Sequence, residues 1–458
     1  MHYLSLANTA ALVCDGKLSP VELTLAHLAR IDKLNPRIRA FVTVLPEAAI
    51  RAAKEAEKEI RGGHYRGPLH GIPIAHKDIL WTRGVRTTAH SRLLENWFPN
   101  ENAAVVDLFE QAGAICLGKT ALHEFAYGSP GPDELFPSAR NPWNLDYSPG
   151  SSSSGSGAAV AAGLCMVATG TDTGGSVRHP ASVCGIVGMK ASYGLVSTFG
   201  VVPLAPSLDH VGPLTRTVTD NALVLKSMVG HDSRDPNSIK VEAPQFSRLI
   251  GTEIKRLRIG VPRRFIEAHS HSPEVLEAFD KALVVLQGLG ASVEDINPPR
   301  LNDCIDAANT IIGFEAYQYH RENLQHHSDL LGQAFKGRFE RLYTEEEYAK
   351  ALATRDYLKS VYREIFSQGM NVVVSPGKEA SADLISDLLV APSKRPVSNR
   401  IYSLTGMPAL TMPMALSAQG LPIGIQIAAD MFREDVIYQV ASAFEAETKF
   451  DQLHPPLV

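Results

Sequence analysis

Two serines and a lysine, each beside glycines, are the residues of this 458-residue chain best placed to do chemistry. Ser176 ends the stretch Thr171-Asp172-Thr173-Gly174-Gly175-Ser176. Ser152 lies in Ser148-Pro149-Gly150-Ser151-Ser152-Ser153-Ser154-Gly155-Ser156-Gly157, and Lys77 in Gly71-Ile72-Pro73-Ile74-Ala75-His76-Lys77-Asp78. A serine hydrolase without a histidine base needs such a set: a nucleophilic hydroxyl, a second hydroxyl and an amine to receive the proton. Ile72, Pro73, Ile74, Ala75, Ile79 and Leu80 surround Lys77 with apolar side chains. Burial disfavours the charged amine, and moving a lysine pKa from about 10.4 to near 7 costs roughly 4–5 kcal/mol. Neutral, such a lysine is a general base. The commonplace alternative is a solvated lysine at a strand end.

Gly174 and Gly175 let successive backbone N–H groups converge on one spot beside Ser176, which is how an oxyanion hole is built. A tight turn without chemistry has the same composition. The Ser/Gly tract also has the composition of a flexible linker. It runs directly into Ala158-Ala159-Val160-Ala161-Ala162, however, a strong helix former. Small residues opening a buried helix permit close backbone approach there, so a helix start is expected. Other hydrolase designs fit poorly. There is no G-x-S-x-G elbow. His123-Glu124 is followed by Phe125-Ala126-Tyr127, so H-E-x-x-H is absent. His269 and His271 fall in a polar loop and His326-His327 reads as a solvated helix face, so no metal is expected.

The elements that must position these residues follow from punctuation and periodicity. Ser19-Pro20 opens a helix with a cap, proline at the first position and Glu22 completing a capping box. It is expected to end near Leu34, at Asn35-Pro36. Further helices are expected over about 46–61, 103–112, 273–288, 345–368 and 434–447. Strands are expected over about 71–80, 114–118, 256–261, 291–293, 370–375 and 423–428. This alternation predicts an α/β fold, one sheet covered by helices on both faces. The polar stretch from about 231 to 253 is expected to be a surface connection within a single domain spanning 1–458.

Hydrophobic residues make up 45% and charged residues 20%, with a net charge of −5, as in a globular protein without a basic patch for nucleic acid. The N-terminus has no basic and apolar signal pattern, and the most apolar stretch is too short to cross a membrane. A cytoplasmic location is expected. The five cysteines are scattered without a C-x-x-C pair, which argues against disulfides and zinc; Cys116, Cys165 and Cys184 read as buried thiols.

The serine and lysine stretches resemble the amidase signature family. Its pattern of a Gly/Ser tract before an alanine-rich helix, then Gly-Gly-Ser-Ile/Val-Arg, continues here as Val177-Arg178-His179-Pro180-Ala181 and Cys184-Gly185-Ile186-Val187-Gly188-Met189-Lys190. Further matches are Glu124-Phe125-Ala126-Tyr127-Gly128, Asn141-Pro142-Trp143-Asn144, Asp209-His210-Val211-Gly212-Pro213 and Gly406-Met407-Pro408. The resemblance covers essentially the whole chain. It implies one large domain with a central twisted mixed β-sheet, its signature core at about 65–220. It implies Ser176 as the acylated nucleophile, Ser152 as a bridging serine after a cis peptide, and Lys77 as the base. Backbone N–H groups of Thr173, Gly174, Gly175 and Ser176 would form the oxyanion hole. Ser153, Asp172 and Arg178 would form the supporting polar shell. The chain departs from the pattern at Ser151 and Ser154, which replace glycines. It departs again at His179, where many members carry a small or aliphatic residue.

The function expected is hydrolysis of a C–N bond in a small-molecule amide or carbamate through a Ser176 acyl-enzyme, with no metal or organic cofactor. The enzyme is expected to act as a monomer or homodimer, without nucleic acid or membrane partners. Phe125, Tyr127, Gly128, Ser129, Ile311, Phe314 and Tyr317 are the expected pocket residues, pointing to an aryl or apolar substrate. One alternative is the glutamine-hydrolysing A subunit of a tRNA-dependent amidotransferase. Those subunits carry an aspartate near the position of Lys394-Arg395-Pro396-Val397-Ser398-Asn399-Arg400, where this chain has no acid, so a stand-alone amidase is favoured. A non-catalytic binding subunit is the remaining alternative, disfavoured by the intact Lys77, Ser152 and Ser176.

Overall fold

Eleven short strands form one mixed sheet, and parallel pairing within it brings the chemistry-bearing segments together. The structure, a computed structural model, describes residues 1–131, 133–242, 245–390 and 397–456. The strands are β1 (Phe41–Val44), β2 (Pro73–Lys77), β3 (Ile115–Thr120), β4 (Val167–Thr171), β5 (Val187–Lys190), β6 (Val211–Thr215), β7 (Arg258–Val261), β8 (Ser292–Asp295), β9 (Val372–Pro376), β10 (Ala409–Leu416) and β11 (Pro422–Ala428). Their order is β1-β3-β2-β4-β6-β5-β10-β11-β9-β7-β8. β2 runs parallel to both β3 and β4, with Ile74 opposite Val167 and Ala75 opposite Ala168.

Alternate side chains of a strand face opposite sides of a sheet. Ile74 and Val167 accordingly join one apolar core, with Phe109 and the buried face of helix Val218–Met228. Ala75 and Ala168 join the other, with Ala158–Ala162 and residues of helices Pro20–Ile38 and Pro46–Arg61. Every residue of β2 and β4 is buried, as a strand covered on both faces must be. Strands before and after residues 231–253 share this one sheet. In that connection Phe246 is 2% exposed, its ring 6.3 Å from that of Tyr438, so the segment is pinned to the core. No helix among the described residues is long and apolar enough to cross a membrane.

The Ser/Gly tract is not a linker. Helix Ser154–Ala161 begins inside it, and all eight of its residues are buried. A Cβ at Gly155 would overlap backbone atoms of Ala40 and Ala121, so only glycine allows this helix to lie on the end of β3. One boundary differs from expectation. Helix Pro20–Ile38 passes through Pro36 and ends at Arg39, in the left-handed region. A proline so close to the C-terminus forfeits only one intrahelical bond. The Asn35 amide repairs the exit, with Oδ1 accepting from Phe41 N–H at 2.8 Å and Nδ2 donating to Phe41 O at 3.1 Å.

Candidate active site

Because β2 and β4 are parallel neighbours, their carboxyl ends lie side by side, the usual location of a ligand in such sheets. Lys77 closes β2 and Thr171 closes β4. Lys77 is fully buried; Nζ donates to Ser152 Oγ at 2.9 Å and to Thr171 Oγ1 at 2.7 Å. Burial lowers its pKa from 10.5 to about 7, the carboxylates of Asp172 and Asp209 opposing the shift. Ile72, Ile74, Ala75, Ile79 and Leu80 are themselves buried, so the whole segment that carries Lys77 is shielded from water, and burial disfavours the charged amine.

Ser152 follows a cis peptide bond from Ser151. Its carbonyl accepts from His123 N–H at 3.3 Å, and Ser153 N–H donates to Ser176 O at 3.3 Å, which ties the two serine loops together. Ser152 and Ser176 open on the same cavity, together with Gly174 and Gly175. Ser153 Oγ bonds Thr171 on both its carbonyl and its N–H, each at 3.3 Å, joining the serine tract to the end of β4.

Asp172 organises the turn that carries Ser176. It accepts from Gly175 N–H at 2.8 Å, Val177 N–H at 3.2 Å and Arg178 N–H at 3.4 Å. Arg178 grips the same carboxylate from Nε at 3.0 Å and Nη2 at 2.9 Å. Its remaining donors reach Gln426 Oε1, Asn399 O and Ser403 Oγ. Burial alone would raise the Asp172 pKa, but the Arg178 guanidinium outweighs it and holds the carboxyl well below the usual carboxylate range. Of the four N–H groups expected to form an oxyanion hole, that of Gly175 is bonded to Asp172. The N–H groups of Thr173, Gly174 and Ser176 have no acceptor among the described residues. A Cβ at Gly174 would collide with the buried Arg400 guanidinium, which closes the nest from behind. Breaking a buried, fully bonded pair leaves an uncompensated charge, so Arg178→Met is expected to cost about 3–5 kcal/mol of stability, read as a lowered urea midpoint. A change within about 1 kcal/mol would contradict that role.

The expected pocket residues separate into two groups. Gly128 and Ser129 line the cavity with Ser176. Phe125 and Tyr127 are buried beneath it, their rings 5.3 and 6.5 Å from that of Phe335. Phe314 stacks on Tyr348 at 4.3 Å, and Tyr317 lies 6.4 Å from Phe339. Ile311 belongs to the core, and its neighbour Ile312 takes the cavity position. Helix Asp303–His326 explains this last difference, since successive residues point about 100° apart.

Four ionisable cavity residues were missed from the sequence as pocket residues: His123, His179, Arg338 and Asp383. Arg338 is aimed by donating from Nε to Tyr127 O at 3.1 Å and from Nη2 to Ser129 Oγ at 2.6 Å. Asp383 Oδ1 accepts from the buried Lys378 Nζ at 3.1 Å. No local pattern marks Arg338 or Asp383, because both lie outside any motif and become polar walls only on folding. Residues 391–396 fall outside the described residues. Asp383, upstream of that stretch, lines the cavity. Among the described residues no cluster of three His, Cys, Asp or Glu could hold a metal ion.

A family model described as Amidase matches residues 22–437. The A subunit of glutamyl-tRNA(Gln) amidotransferase from Picosynechococcus sp. is 37% identical, over 96% of this chain and 97% of its own length. The crystal structure of the A subunit of that enzyme from Thermotoga maritima superposes with a TM-score of 0.82 at 32% identity, covering 97% of this chain and 94% of that one. The peptide amidase from Stenotrophomonas maltophilia gives a TM-score of 0.84 at 30% identity, covering 99% and 98%.

Proposed function

Since this chain belongs to the amidase family, we propose that it hydrolyses the side-chain amide of glutamine, or of a close amino-acid amide, in the role of an amidotransferase A subunit. The observation that carries this reading is the pair of opposite charges on the Ser176 cavity. Arg338 suits the carboxylate of an amino acid, and Asp383 suits its ammonium. Whole-length likeness to two amidotransferase A subunits supports the same substrate. The aromatic side chains that favoured an aryl substrate pack against other rings and are not among the residues that line the Ser176 cavity.

Above pH 7 the Lys77 amine is neutral. Nζ then accepts the Ser152 hydroxyl proton while Ser152 Oγ accepts that of Ser176, and Ser176 Oγ bonds to the amide carbon. The carbonyl oxygen becomes an oxyanion held by the free N–H groups of the 173–176 turn. Collapse breaks the C–N bond, and the proton returns from Lys77 through Ser152 to the departing nitrogen, which leaves as ammonia. Water then attacks the ester by the same relay and releases the carboxylate.

The test is ammonia release by the purified chain from L-glutamine, against butyramide, an acyl anilide and an aryl carbamate. Glutamine is expected to have the highest kcat/KM. Arg338→Met is expected to raise the KM for glutamine by about 30- to 100-fold, the worth of one charge-assisted contact. Anilide or carbamate turnover exceeding that of glutamine, with Arg338→Met indifferent, would return the reading to a stand-alone aryl amidase.

A further inference from the structure

Two of the positions at which this chain departs from the family pattern touch each other in the wall of the Ser176 cavity. Ser151 N–H donates to His179 Nδ1 at 3.2 Å, and Ser151 Oγ lies 3.5 Å from the same nitrogen. A backbone N–H is only ever a donor, so Nδ1 must carry a lone pair. The proton of a neutral imidazole then resides on Nε2. No hydrogen bond among the described residues uses Nε2, and it is not among the sealed polar atoms, so it opens on the cavity that His179 lines. His179 itself is 4% exposed, and helix Arg178–Cys184 holds its backbone, with His179 N–H on Gly175 O. The imidazole is therefore fixed in place, tautomer and direction.

We propose that His179 is a substrate-binding residue, presenting a fixed Nε2–H donor to a carbonyl or carboxylate oxygen of the substrate beyond its scissile amide. This deepens the amidase reading of Ser176 and rests on it, while requiring only that the substrate carry a second acceptor. A small or aliphatic side chain at this position could make no such contact. Burial, with Lys378 and His123 adding to it and Asp383 opposing, lowers the His179 pKa to about 3. The donor is thus present across the working range of an enzyme whose base titrates near 7. His123, Lys378 and Asp383 are the charged or titratable groups that face it.

The experiment has two arms. In the first, the histidines of the whole chain are labelled with ¹⁵N, and His179 is assigned by its loss in His179→Gln. A neutral ring with Nε2 protonated and Nδ1 bare from pH 5 to 9 is expected. A protonated Nδ1 overturns the proposal whatever the substrate. In the second, kcat and KM for L-glutamine and butyramide are compared in wild type, His179→Leu and His179→Gln. Leucine removes the donor. Glutamine can accept from Ser151 N–H through Oε1 and donate through Nε2. His179→Leu is expected to lower the preference for glutamine over butyramide by about 10- to 100-fold, mainly through KM, with His179→Gln recovering most of it. Sulfonylation of Ser176 by phenylmethylsulfonyl fluoride separates a structural role. If it slows as much as glutamine turnover falls, His179 acts only by propping Ser151 and the proposal fails. If wild type ignores glutamine while the expected tautomer is present, the glutamine reading falls instead, and the second arm moves to the amide that wild type does hydrolyse.

Discussion

Ser176→Ala abolishes turnover while leaving the fold intact: a loss of about 10⁴-fold or more in kcat is expected, as for removal of other serine nucleophiles. The residue is half-buried and lines the cavity, and among the described residues its backbone is bonded only through its carbonyl, to Ser153. Truncating its hydroxyl therefore removes chemistry without removing packing. Intact-mass measurement during turnover should show an acyl adduct on the wild type and none on the variant. Ser152→Ala is the companion. It keeps the proposed nucleophile and base but removes the hydroxyl to which Lys77 Nζ is bonded, and a loss of about 10²- to 10⁴-fold is expected for a broken general-base step. A Ser176→Ala protein that still turns over the amide at wild-type rate would move the nucleophile elsewhere.

Lys77→Met should remove activity and change stability to an extent that depends on pH. The amine is lowered from 10.5 to about 7 by burial. Wild-type kcat/KM should therefore fall tenfold per unit as pH drops below about 7 and level off above it. Glu124, raised by burial to about 7, titrates in the same range; with Lys77 as the proposed base, Glu124→Gln should keep the limb. A profile flat down to pH 5 would contradict a lysine base. For stability, the folded state binds fewer protons at this site than the unfolded state between about pH 7 and 10.5. Unfolding is thus favoured most below pH 7, and stability from this group rises with pH through that window. At pH 6 methionine relieves a cost on the order of 4–5 kcal/mol; at pH 10 it relieves about 1. Against this it leaves the Ser152 and Thr171 hydroxyls without their partner, each costing about 1–3 kcal/mol. Relative to wild type, Lys77→Met should therefore fare about 3–4 kcal/mol better at pH 6 than at pH 10, and it should melt below wild type at pH 10. Equal differences at both pH values would show that the lysine is solvated or charged in the folded state.

Much of the candidate site was legible in the sequence because the residues that shape it are contiguous. Gly174-Gly175-Ser176 needs its glycines for the turn itself, and Asp172 and Arg178 act within a few positions of it. Lys77 announced its burial through its own apolar neighbours, and burial is what lowers its pKa. The helix over 154–161 was legible because alanines follow the serines at once. The alternation of helices and strands likewise foretold a sheet covered on both faces.

Tertiary structure alone decided what surrounds that arrangement. The order of eleven strands depends on pairings between distant segments, such as β5 with β10, that no local pattern encodes. The parallel register of β2 and β4 put Thr171, unmarked in the sequence, onto Lys77. Side chains judged by type were sorted by direction: Phe125 and Tyr127 turned into an aromatic core, while Arg338 and Asp383, from remote segments, turned toward Ser176. A motif specifies its own turn because its bonds close within a few residues. A pocket wall is the sum of orientations set by the packing of the whole chain, and those exist only once the chain has folded.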